Sequence, residues 1–95
     1  MTYSIEKIAT LIGARRYGQN EATIGWLLTD SRSLCFPEQT LFFALRTQRN
    51  DGHRYIADLY RRGVRNFVVE NTPGWERLEG ANFLVVPRHW LLSND

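Results

Sequence analysis

Leu41-Phe42-Phe43-Ala44-Leu45 is an unbroken apolar run, as expected of a β-strand covered on both faces. Polar segments close it in: Thr29-Asp30-Ser31-Arg32 upstream, and Gln48-Arg49-Asn50 followed by Asp51-Gly52-His53 downstream. A buried strand between two polar loops holds ligand-binding groups a fixed distance apart. Working outward, Asp51 is placed to cap a helix in which Ile56, Leu59, Tyr60 and Gly63 form the buried stripe, with Arg54, Arg61 and Arg62 left to solvent. Phe67-Val68-Val69 and Phe83-Leu84-Val85-Val86 read as further buried strands, separated by a loop at Asn71 to Gly74. Upstream of Thr29, the alternation of Ile24, Trp26 and Leu28 predicts a strand with those side chains inward. Ser4 is placed to cap a first helix with Ile5, Ile8, Ala9 and Ile12 on one face and Gly13 at its end, and Arg15 to Tyr17 follow as a short extended piece. Strands and helices in this order, with continuous apolar runs, predict an α/β fold: one small domain with a mixed or partly parallel sheet and flanking helices. Strand order does not follow from the pattern. Arg88 to Asp95, with Trp90, Leu91 and Leu92, reads as a connector or an unfinished helix, so the chain is expected to be the first piece of a longer protein.

Ninety-five residues suffice for one core and leave no room for a second domain. A hydrophobic content of 43% argues against disorder. Of the 12 basic residues only Lys7 is a lysine, and the arginine fork suits phosphate and carboxylate, although surface arginines also serve solubility alone. A net charge of +2 is too weak to indicate nucleic acid. The single cysteine, Cys35, excludes an internal disulfide and fits a reducing compartment; between Leu34 and Phe36 it is expected to be a small buried side chain. No apolar run approaches the ~20 residues of a membrane span, and Met-Thr-Tyr-Ser-Ile-Glu is no signal peptide, so a cytoplasmic location without membrane attachment is expected.

Catalytic patterns are weak. Asp30, Ser31 and His53 are the residue types of a hydrolase triad, but no Gly-x-Ser-x-Gly elbow is present. Cys35 with His53 or His89 lacks a nucleophile signature, and the three together lack metal-ligand spacing. No glycine-rich phosphate loop precedes the only lysine, so ATP use by this chain alone is not expected. The polar loops carry more. Thr29, Asp30 and Ser31 follow a strand, where amides and short hydroxyls bind a base edge or a sugar; alternatively Asp30 forms a local turn paired with Arg32. Gln48, Arg49 and Asn50 suit a heterocycle, and Arg46 or Arg49 a diphosphate; alternatively they are a solvated loop. His53 either donates to a ligand or fixes the turn.

The ordered set Thr-Asp-Ser-Arg at 29–32, Pro37, Leu-Phe-Phe-Ala-Leu at 41–45, Asp-Gly-His at 51–53, Gly63 and Phe-Val-Val-Glu at 67–70 resembles the N-terminal domain of the Mur ligases, ATP-dependent amide ligases of peptidoglycan precursor synthesis. The resemblance implies that residues 1–87 hold the UDP end of UDP-N-acetylmuramoyl-peptide. Residues 88–95 then begin a connector to a central ATP-binding domain outside this chain, with a C-terminal domain beyond it. By position, Thr29 and Ser31 match the uridine-contacting loop, and Gln48, Arg49 and Asn50 the loop that meets uracil and the diphosphate; Asp30, Arg32 and His53 complete the expected substrate-binding set. Pro37 is followed by Glu38-Gln39-Thr40 where the family usually has Pro-Gly, and Thr47 stands near a usual glycine. The Leu-Phe-Phe-Ala run and Asp-Gly-His look closer to the branch that adds D-alanyl-D-alanine than to the tripeptide-forming branch. For cofactors the resemblance implies none in this domain, ATP and Mg in the parent ligase, and pyridoxal phosphate only if an alanine racemase is fused. A rival expectation is a non-catalytic interaction domain with a degenerate nucleotide site, using exposed aromatics such as Trp75 or Trp90.

Overall fold

A serine in extended conformation followed by an amphipathic octet starts a helix, and the computed structural model places one there. It describes residues 1–71 and 74–94; Thr72 and Pro73 of the expected loop, and Asp95, lie outside the described residues. After a two-residue strand β1 (Tyr3–Ser4), the Ser4 hydroxyl accepts the Lys7 amide at 3.1 Å and starts α1 (Ile5–Ile12). Gly13 ends the helix in the left-handed region at φ 68°.

The chain then forms β2 (Arg15–Tyr17), β3 (Thr23–Ile24), β4 (Trp26–Leu28) and β5 (Thr40–Phe43). A capped 3-10 turn at Gly52–Tyr55 leads into α2 (Ile56–Arg61), followed by β6 (Asn66–Val69) and β7 (Asn82–Val85). β4, β5, β6 and β7 run parallel, β2 joins β7 antiparallel, and the five-stranded order is β2-β7-β6-β5-β4. β1 and β3 make a separate antiparallel pair.

Side chains alternate between the two faces of this sheet, and each face has its own helix. Leu28, Phe42, Phe67 and Phe83 are cross-strand partners on the face covered by Ile56 and Leu59 of α2. The Phe67 and Phe83 rings stack at 5.3 Å, and Trp75 stacks on Phe83 at 6.2 Å. Each buried phenylalanine contributes about 1.5–3 kcal/mol through removal from water. Leu41, Val68 and Leu84 point to the opposite face, against Ile5 and Ala9 of α1. Two helices on opposite faces of a mainly parallel sheet explain why the strands lack polar alternation. Buried Asn82 belongs to a polar seam: its amide donates to Asn66 Oδ1 at 2.9 Å and to Asn20 O at 2.8 Å, tying the Gly18–Asn20 turn to the sheet.

Two sequence expectations fail at the β4 edge. The expected strand through Ile24, Trp26 and Leu28 is divided at Gly25 between two sheets, and Trp26 is 49% exposed, stacked on Phe36 at 5.3 Å. β4 is the edge strand, with a neighbour on one side only: Leu28 at its end reaches the core and Ile24 is buried as expected, while Trp26 at its start is left to solvent. Cys35 is exposed rather than buried. It sits between the 3-10 turns Ser31–Ser33 and Pro37–Gln39, where Leu34 takes the inward position instead. At the other end of the chain, Leu91 is buried against the α1 face, and the Arg46 amide donates to Leu91 O at 2.8 Å.

Candidate functional site

β4 and β5 are adjacent and parallel, so the loops that leave them emerge side by side at one edge of the sheet. In open α/β sheets this carboxyl edge is where ligands bind. The first loop is fixed by Asp30, which accepts the Arg32 amide at 2.9 Å and its Nε at 3.0 Å, with Arg32 Nη2 at 2.8 Å from the second carboxylate oxygen. Those hydrogen bonds hold the Asp30 pKa down at about 2. The local turn paired with Arg32 is therefore formed. Arg62 of the segment after α2 reaches across to Ser31 O at 3.2 Å.

The second loop is held by backbone and charge together. Gly52 N donates to Leu45 O at 2.6 Å, and Thr47 N to Asn50 O at 2.8 Å. Arg46, one of two arginines expected to suit a diphosphate, turns toward protein carboxylates: its Nε donates to Glu70 Oε1 at 2.9 Å, its Nη2 contacts the same oxygen, and its Nη1 lies 3.2 Å from Asp51. The Glu70 side chain is only 8% exposed, and the hydrogen bond from Arg46 holds its carboxyl below the usual range against the opposing effect of burial. At Asp51 burial pushes the pKa up, but hydrogen bonds from His53 and the charge of Arg46 outweigh it, for a net lowering.

His53 completes the network. Its Nδ1 lies 2.7 Å from Asp51 Oδ1, and its Nε2 accepts the Glu70 amide at 3.1 Å, which assigns the ring hydrogen to Nδ1. Both ring nitrogens are engaged by protein, so neither is available to activate Ser31 or Cys35. His53 fixes the turn at the end of β6. Among the described residues no group of three His, Cys, Asp or Glu is placed to hold a metal ion, and Lys7 is an exposed residue of α1.

Between the loops lies a groove of about 520 Å³ lined by Thr29, Asp30, Ser31, Arg32, Leu45, Thr47, Asn50, Gly52, Tyr55 and Ser93. No family model matches the chain, and no curated protein matches it in sequence. Among solved structures, crystal structure I of MurF from Acinetobacter baumannii matches 90% of the chain with a TM-score of 0.71 at 23% identity. The structure of UDP-N-acetylmuramoylalanyl-D-glutamyl-2,6-diaminopimelate--D-alanyl-D-alanyl ligase from the same organism matches with the same values. The fold is that of a Mur ligase N-terminal domain. The chain spans 18% of the length of either protein.

Within this Mur ligase-like domain, five of the residues expected from sequence line the groove together: Thr29, Asp30, Ser31, Arg32 and Asn50. Gln48 and Arg49 are exposed at the loop tip, and they and His53 are not among its lining residues. Sequence reasoning missed Leu45, Tyr55 and Ser93 as groove residues, and Glu70 as the carboxylate that anchors Arg46, whereas Thr47, noted as standing near a usual glycine, does line the groove. Tyr55 had a usable signal, since it stands four positions after the helix-capping Asp51, one turn along the same face. Glu70 had one too: a charged residue directly after a buried strand sits at the sheet edge where loops gather.

Proposed function

We propose that this chain is the substrate-binding module of a peptidoglycan-precursor ligase and that the groove takes the uridine end of UDP-N-acetylmuramoyl-peptide. The observation that carries the reading is the convergence of the two loops at the carboxyl ends of adjacent parallel strands, on a fold shared with MurF. Support for the D-alanyl-D-alanine-adding branch comes from the identity of both structural neighbours. On this reading residues 1–87 are the binding domain and 88–95 begin the connector.

Its mechanism is positioning. Binding energy gained at the nucleotide end orients a peptide carboxylate far away, and the carboxylate reaches its reaction partners already aligned. Thr29 and Ser31 offer hydroxyls beside the sugar, while the Arg46-Glu70-Asp51-His53 network keeps the second loop in place without touching the ligand. Carboxylate activation by ATP and Mg belongs to domains outside this chain, and pyridoxal phosphate enters only where a racemase is fused. No described helix is long and apolar enough to cross a membrane, in keeping with the cytoplasmic location this reading carries.

The test is an NMR titration of the chain with UMP, AMP and UDP-N-acetylmuramoyl-tripeptide. Shifts gathered at Thr29–Arg32 and Leu45–Tyr55, larger for UMP than for AMP, are expected. Equal responses to both nucleotides, or no response at millimolar concentration, would rule the reading out.

A further inference from the structure

We propose that Tyr55 is the residue through which the groove recognises its base: the phenol, aimed by Asn50, donates a hydrogen bond to a carbonyl oxygen of a pyrimidine. The inference rests on the uridine reading above and assigns a specificity contact within that site.

Asn50 Nδ2 donates to the Tyr55 hydroxyl oxygen at 2.9 Å, and Asn50 Oδ1 accepts from Arg54 Nη1 at 3.2 Å. The second contact fixes which end of the amide faces Tyr55, so Asn50 is committed as donor and Tyr55 as acceptor. A phenol also owns a hydrogen, and among the described residues nothing accepts it. The ring itself is held: it is half-buried against the α2-face core, with the Arg54 guanidinium 5.7 Å from its centroid. Tyr55 lines the groove, so a fixed ring presents one donor there.

Of the other groove side chains, Thr29 and Ser31 offer hydroxyls on the sugar side, while Asp30 and Thr47 are engaged by protein. The Asp30 carboxylate is taken by Arg32, and Thr47 Oγ1 lies 3.3 Å from both Asn50 O and Arg49 N. A phosphate calls for unpaired cations, whereas Arg32 and Arg46 are already paired with Asp30 and with Glu70 and Asp51. A neutral phenol donor on a partly apolar floor instead fits a neutral carbonyl acceptor. Asn50 then acts as a positioning residue that never meets the base.

The experiment measures affinity of wild type and Tyr55→Phe for UMP, 2-thio-UMP and 4-thio-UMP, sulfur being a poor acceptor. Phenylalanine keeps the ring and removes only the donor. Tyr55→Phe is expected to weaken UMP binding roughly three- to tenfold, the size of one neutral hydrogen bond. That cost should vanish for whichever thio analogue lacks the recognised carbonyl, while thermal melting stays near wild type. A Tyr55→Phe chain that binds UMP as tightly as wild type overturns the inference and leaves the uridine reading standing. So does an equal loss for all three ligands, which would mark a structural role. Failure of wild type to bind UMP overturns both.

Discussion

Gly52→Ala asks whether the groove is held together by direct backbone contact. The Gly52 amide donates to Leu45 O at 2.6 Å, so the second loop lies against the end of β5 with no side chain between. A Cβ at position 52 would stand 2.7 Å from Leu45 N and 2.9 Å from both Cα and carbonyl carbon of Ala44. All three are backbone atoms, and Ala44 is fully buried, so none can swing aside. Ordinary carbon contacts need about 3.5 Å, so the two backbones must part by roughly 0.7 Å. Overpacking of this kind costs about 1–3 kcal/mol, while alanine restricts the unfolded chain and recovers about 0.4–1 kcal/mol. The net loss is about 1–2 kcal/mol. For a chain of 95 residues each kcal/mol moves the melting temperature by about 5 °C, so a fall of about 5–10 °C is expected by calorimetry. UMP affinity should fall as well, because residues 50 and 55 flank the displaced glycine. Gly80→Ala is the control: φ is +81° but no atom lies within 4 Å, so only local strain is added, away from the groove. Gly52→Ala that melts within about 2 °C of wild type would refute the backbone-contact argument.

Glu70→Gln leaves Arg46 with Asp51 as its sole carboxylate partner and should lower stability by about 1–3 kcal/mol at pH 7, read from urea midpoints. Because the folded state holds Glu70 and Asp51 below their ordinary values of 4.5 and 3.8, the unfolded chain takes up protons first as pH falls. The stabilisation from this pair is complete well above 4.5 and is lost progressively below it; Glu70→Gln should flatten that acid limb, and an unchanged pH profile would contradict the assignment. Cys35, exposed in the folded chain, should react with a thiol reagent as fast before denaturant as after; protection in the folded state would place it in the core after all.

How much of this was legible depends on the range of the interactions. α1 was readable because Ser4, its four apolar positions and Gly13 act within one short segment. The buried strands were readable because Leu41, Phe67 and Phe83 need no partner to reveal that they are apolar. The sheet order was not, since it depends on which strand lies beside which, and the same ignorance merged β3 with β4 and turned Trp26 inward. The site divides along the same line. Polarity after a buried strand located both loops, and five of the expected residues meet in one groove. Which polar atoms remain open there is a nonlocal property. His53 could equally donate to a ligand or fix the turn, and an amide 17 positions away decides it by taking the second nitrogen. Arg46 looked like a phosphate contact, but Glu70, 24 positions on, claims it. Tyr55, passed over in the sequence, keeps its phenolic hydrogen because Asn50 approaches as a donor. Sequence therefore locates the binding edge through the character of its residues, while hydrogen-bond partners brought in by folding decide which of those residues still have a donor or acceptor to offer.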